Sequence, residues 1–159
     1  MATLRSTVAG TSFLPVSRPQ GALHGYGFSY AVASNPAAND ILILGKVPKD
    51  CTLLAFWIDI SRLDTHASAT LSASVGDQTT AALFLATQTT MDAARSIISS
   101  MAITSGQTLG TIAGTLPKRY TINGDLRMTF TATAATFAAG AIRGWYIYSD
   151  HPKYRDPGQ

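Results

Sequence analysis

The alternation of apolar and polar positions is clearest between Asp40 and Asp77, DILILGKVPKDCTLLAFWIDISRLDTHASATLSASVGD. Two apolar runs, Ile41 to Val47 and Cys51 to Ile60, flank Pro48, Lys49 and Asp50, a breaker and two polar residues suited to a tight turn, so the spacing predicts a hairpin. In the second run Leu54, Phe56, Ile58 and Ile60 fall on one side of a period-2 pattern and Leu53, Ala55, Trp57 and Asp59 on the other. The first side reads as core and the second as mixed.

The same pattern extends along the chain. His24 to Ala33 alternates His24, Tyr26, Phe28, Tyr30 and Val32 against Gly25, Gly27, Ser29 and Ala31, a strand with large side chains on one face. Ser34 to Asn39 and Arg62 to Ala67 are links, and Ser68 to Val75 opposes Leu71, Ala73 and Val75 to Thr70, Ser72 and Ser74. A strand is expected over Ala82 to Ala86, one short helical turn or coil over Met91 to Ser96, and weak strands over Ile97 to Ile103 and Thr108 to Leu116. Asn123-Gly124 between Lys118 to Ile122 and Asp125 to Thr133 predicts a type I′ hairpin, whose second run opposes Leu126, Met128 and Phe130 to Arg127, Thr129 and Thr131. Ala139 to Ser149 is the last strand.

About eight strands with short links, and no helix-length pattern between them, disfavour a parallel sheet with crossover helices. The expected fold is an all-β antiparallel sandwich or jelly roll, with a barrel as the alternative closure. Residues 1–23 hold scattered apolar positions among Gly10, Pro15, Pro19 and Gly21 and read as an extended N-terminal arm. Residues 24–149 form the sandwich, and residues 150–159 form a charged tail.

Composition sharpens this reading. All 9 acidic residues are Asp, which favours turns over helices, and charged residues are only 13% of the chain, about half the usual quarter. A surface so poor in charge suits coverage by neighbouring subunits. The net charge of +3 is spread without a basic run, so no nucleic-acid partner is expected, and no apolar segment reaches membrane-spanning length. The single Cys51 reads as a small buried hydrophobe at a strand start and excludes an internal disulfide.

Chemistry finds little footing. The histidines are His24, His66 and His151, no G-x-S-x-G elbow appears, and no C-x-x-C or H-x-x-x-H pair offers metal ligands, so no catalytic residue, metal or cofactor is expected. Asp59 and Asp64 read as solvated strand-end and link residues rather than paired carboxylates. Trp57 shares its strand face with Asp59, and Trp145 shares its face with Arg143. These aromatics suit an interface anchor or a sugar-stacking platform, unless both faces are covered and the rings are core.

The segment from residue 39 to 77 also resembles small virion structural proteins of tailed bacteriophages, including head decoration or cement proteins of sandwich or jelly-roll type. The matching residues are Ile41, Leu42, Leu44, Gly45, Lys46, Val47, Pro48 and Lys49, then Leu71, Val75, Gly76 and Asp77. Lys49-Asp50-Cys51 stands where that pattern reads Lys-Gly-Ala or similar. The resemblance implies a non-enzymatic capsid decoration protein, trimeric, bound to the major capsid protein on the outside of the assembled head. Its contacts would come from Arg5, Phe13, Leu14 and Arg18 of the arm and from Trp57, Arg143 and Trp145. The competing expectations are a carbohydrate- or receptor-binding module of a tail fibre and a tail or connector subunit.

Overall fold

The computed structural model describes residues 2–5, 23–88, 95–99 and 116–150. The strands are β1 (Thr3–Arg5), β2 (Leu23–Val32), β3 (Ile41–Val47), β4 (Cys51–Ser61), β5 (Ser72–Gly76), β6 (Leu85–Gln88), β7 (Arg95–Ser99), β8 (Lys118–Arg119), β9 (Gly124–Ala132) and β10 (Gly140–Asp150). No helix occurs among the described residues. One sheet runs β1-β3-β9-β5-β6, and the other runs β2-β10-β4-β7 with β8 also paired to β4. The protein is therefore an all-β sandwich, antiparallel at every described pairing except β1 with β3.

The core lies between the sheets and is filled by alternate residues of each strand. Leu42, Leu44, Phe56, Ile58, Ile60, Leu126, Met128, Phe130, Ile142, Tyr146 and Tyr148 are all fully buried there. The alternation read for β2 and β9 holds, with Phe28 and Val32 buried opposite exposed Gly25, Gly27 and Ala31. On β9, Leu126, Met128 and Phe130 turn inward as expected.

Two predicted hairpins are not hairpins. β3 and β4 belong to different sheets, so Pro48, Lys49 and Asp50 carry the chain across the sandwich as an arch. Asp50 turns this corner with a left-handed φ of 62°, which Asp tolerates better than most residues. Lys118–Arg119 pairs with β4 while Gly124–Ala132 pairs with β3 and β5, so Asn123-Gly124 closes a second arch. The two arches bind each other. Asp50 N donates to the Tyr120 carbonyl at 2.8 Å, Tyr120 N to the Cys51 carbonyl at 2.9 Å, and Lys49 N to Asn123 Oδ1 at 3.0 Å. Asn123 thus serves as an acceptor for the first arch, and Gly124 leaves room for the Tyr120 ring.

Other boundaries shift by a few residues. β5 starts at Ser72 rather than Ser68, and β6 starts at Leu85 rather than Ala82. Arg95–Ser99 is a strand, taking the end of the segment read as a helical turn, whose residues 91–94 lie outside the described residues. The weak strand expected over Thr108 to Leu116 lies almost wholly outside them as well.

Leu53 and Leu54 exchange the faces assigned to them, because Ile147 and Tyr148 of β10 face Ala55 and Leu53 across a bulge that skips Leu54. Leu53 is fully buried, while Leu54 is 36% exposed. The bulge restores inward alternation for Phe56, Ile58 and Ile60. Across the core, the Tyr146 hydroxyl donates to the Lys46 carbonyl at 3.0 Å and accepts from Lys46 N at 3.3 Å, tying the two sheets together. This needs Gly45, because a Cβ there would collide with the Tyr146 ring.

Candidate interface

The outer face of the β2-β10-β4 sheet is built in register rows. Gly27, Trp145 and Trp57 form one row, with Ser99 of β7 as the next partner. Gly25, Ile147 and Ala55 form the row beside it, followed by Leu23, Ser149 and Thr52 with Arg119 beyond. On the other side of the tryptophans lies Ser29, Arg143, Asp59 and Ile97.

The two tryptophans are therefore direct cross-strand partners, a relation that places side chains within contact reach on one face. Both are half-buried, as are Ile147 and Ala55, while Leu23 is 69% exposed and Leu54 is 36% exposed. The result is an apolar strip of Leu23, Leu54, Ala55, Ile147, Trp57 and Trp145. Gly25 and Gly27 lower the surface beside it, and a Cβ added at Gly25 would meet nothing within 4 Å. Arg143 and Asp59 border the strip on one side and Arg119 on the other.

The opposite outer face is different. Along β9 it presents Asp125, Arg127, Thr129 and Thr131, with an Arg127–Asp125 ion pair at 2.8 Å and a Ser72–Thr131 hydroxyl contact at 2.7 Å. Hydration suits that row, whereas the tryptophan strip gains from being covered.

The buried polar groups are committed to structure. Asp64, read from sequence as a solvated link residue, is fully buried. Its Oδ1 accepts from the backbone N–H of His66 and Thr136, and its Oδ2 from those of Thr70, Leu71 and Ala135, five donors in all. Burial alone would raise its pKa, but the N–H groups of Thr70, Thr136, Ala135 and His66 outweigh that and hold the carboxyl well below its ordinary range. This carboxylate pins the 62–71 link to the 133–138 link. Asp77 plays a similar part at the arches: against the upward push of burial, Lys118 Nζ at 2.8 Å and donors from Thr79 and Thr80 hold it down to about 2.

Cys51, Asp150 and His24 bring a thiol, a carboxylate and an imidazole together, but in the wrong order for nucleophilic catalysis. The thiol donates to Asp150 Oδ1 at 3.2 Å, and His24 Nε2 sits 3.3 Å from the other oxygen. The imidazole contacts the carboxylate rather than the sulfur, and burial plus the adjacent Asp150 push the thiol up to about 12. Cys51 is 3% exposed, which fits its reading as a small buried hydrophobe at a strand start. In the native protein a thiol-reactive disulfide reagent at pH 8 should leave Cys51 untouched over hours and label it fully once urea unfolds the chain. Fast native labelling would contradict both the burial and the pKa. Among the described residues no group of three or more His, Cys, Asp or Glu could hold a metal ion.

Of the predicted contact residues, the structure brings Trp57, Trp145 and Arg143 onto one face. Arg5 lies in β1 on the other sheet. Phe13, Leu14 and Arg18 lie outside the described residues. Sequence reading missed Leu23, Leu54 and Ile147 as members of the strip, since their grouping depends on the β4 bulge and on the pairing of β2, β10 and β4.

No family profile and no curated protein sequence matches the chain. Two solved structures share its fold. A chain in the capsid of Ralstonia phage GP4 superposes with a TM-score of 0.70 at 21% identity, covering 95% of this chain and 99% of that one. A chain in the capsid asymmetric unit of cyanophage Pam1 gives 0.61 at 20% identity, covering 91% and 96%.

Proposed function

We propose that this chain is a non-enzymatic structural protein of a phage virion, a decoration or cement protein that binds the major capsid protein on the outside of the assembled head. The observation that carries this reading is the near-complete mutual coverage with the two capsid chains. Each match runs over nearly the full extent of both chains, so the likeness is to the fold as a whole and not to a fragment of it. The apolar tryptophan strip supplies a surface that is stabilised by coverage, and the polar interior is spent on holding loops. Neither nucleic acid, membrane nor cofactor enters this reading.

In this reading the protein acts as a homotrimer. Three weak contacts engaged together hold far more tightly than one, because the second and third bind at high effective concentration. Trp57, Trp145 and Arg143 pack against neighbouring subunits, and Arg5, Phe13, Leu14 and Arg18 of the arm reach across to them.

The test is cosedimentation of the purified chain with heads lacking it, alongside its mass by light scattering. Truncating one buried interface tryptophan typically costs about 2 kcal/mol, or roughly 30-fold in affinity. Trp57→Ala with Trp145→Ala should therefore abolish cosedimentation at micromolar concentration while the isolated protein stays folded. Heads that bind the double variant as well as the parent would refute the interface. The tryptophan row flanked by Asp59 and Arg143 also suits a sugar-stacking platform; a fluorescence shift on adding glycans, without head binding, would favour that alternative.

A further inference from the structure

β1 is the one described strand that joins its neighbour in parallel, and three register pairs, Thr3 with Ile41, Leu4 with Leu42 and Arg5 with Ile43, hold it on β3. Its seat is built by the body of the protein. Asp40 is 8% exposed and accepts from Ala37 N at 3.0 Å through Oδ2, which leaves Oδ1 to accept from Ala2 N at 2.6 Å. Ile41 N then donates to the Ala2 carbonyl at 2.9 Å, and Leu4 packs half-buried against the core. The seat thus offers a carboxylate, a row of β3 backbone groups and an apolar notch to any strand of this sequence.

We infer that Ala2–Arg5 is an exchangeable strand, and that the β1 of one copy occupies the β3 seat of a neighbouring copy. A strand given to an identical seat makes the same contacts it made at home, so the exchange is nearly neutral in contact energy. What decides is concentration. The tether between β1 and β2, residues 6–22, is seventeen residues long and spans at most about 60 Å when extended. That exceeds the roughly 40 Å width expected of a domain this size, so the tether is long enough to reach a neighbour. A tether of this length keeps its own strand at an effective concentration of about 1 mM, and copies crowded beyond that compete for the seat. Crowding of this degree comes from the proposed shell, so the physiological setting rests on that reading, while the exchange itself is tested in solution.

The experiment mixes full-length Thr3→Cys protein with full-length Ile41→Cys protein under mild oxidation, the native Cys51 being buried. Disulfide-linked pairs should form about a tenth of the material near 0.1 mM and roughly half of it at several millimolar. The double variant should close within one chain when dilute and form ladders when concentrated. Single variants that never cross-link at any concentration, beside a double variant that closes only upon itself, would overturn the inference. A second readout needs no substitution: the unmodified chain, concentrated above about 1 mM and rapidly diluted, should release on size exclusion a slowly dissociating species larger than its dilute form. Immediate return to the dilute form counts against exchange. Failure here leaves head binding by the tryptophan strip untouched, and failure of head binding leaves the cross-linking result untouched.

Discussion

Asp64→Ala is expected to cost about 3–4 kcal/mol and to lower Tm by about 10 °C, because it removes the acceptor for five backbone N–H groups at once. The cost stays below the full sum of five lost hydrogen bonds, since His66, Thr70, Ala135 and Thr136 are exposed residues whose N–H groups water can partly serve. Leu71 is buried and has no such relief. Asp64→Asn keeps the volume but is expected to lose nearly as much. Whichever oxygen becomes the amide nitrogen then faces two or three N–H donors with a donor of its own.

The pH profile separates the charge from the shape. The folded carboxyl sits below its ordinary value of 3.8, so its stabilisation is complete above about pH 4 and is withdrawn as the pH falls through the folded pKa. Asp77, held down to about 2, weakens in the same window in the parent and in the variant alike. The Tm gap between the parent and Asp64→Asn should therefore be widest at neutral pH and narrow steadily from pH 4 towards pH 2. A gap that stays constant across that range would show that the carboxylate charge contributes nothing.

Gly144→Ala is the second large effect, at about 3 kcal/mol, the upper end of ordinary overpacking. A Cβ at Gly144 would collide with the Trp57 carbonyl, lie 2.7 Å from the Phe28 ring and 3.1 Å from the Ile58 Cα. Two of these obstacles are backbone of the paired strand, so the strands must part for the methyl to fit. Adding Phe28→Ala would remove the ring without freeing the backbone and should not restore stability. Gly25→Ala in the neighbouring strand provides the contrast, because its Cβ enters open space. It should gain about 0.5 kcal/mol from the reduced freedom of the unfolded chain. Equal Tm values for the two alanine variants, read by calorimetry, would refute this account of the packing.

The fold class was legible because alternation survives wherever one face is buried: β2 and β9 show their inward residues in the bare sequence. Strand partners were not legible, since period-2 alternation states which way a side chain points and nothing about which strand lies beside it. Pro48-Lys49-Asp50 and Asn123-Gly124 carry ordinary turn chemistry, and the same residues serve an arch between sheets as well as a hairpin within one. The Leu53-Leu54 pair was ambiguous for a related reason, as two adjacent leucines fit the pattern with or without a bulge. Both tryptophans were placed on the mixed face by their companions Asp59 and Arg143, but their adjacency needed the pairing of β4 with β10. Asp64 had no local signal at all, because three of its five donors come from the segment before β5 and two from the link before β10.

The two arches also bear on how the protein folds and how long it stays folded. Since β3 and β4 part company at the first arch and β8 and β9 at the second, these neighbours in sequence form no ready-made hairpins. Contacts such as Lys46 with Tyr146, 100 positions apart, must be assembled before much energy is returned. Such a topology folds slowly, on a scale of about milliseconds to seconds, and nearly the whole chain must be present before the sandwich closes. The same interlocking opposes loss of strands one hairpin at a time. Durability of such a fold is then set by the height of the unfolding barrier more than by the equilibrium stability.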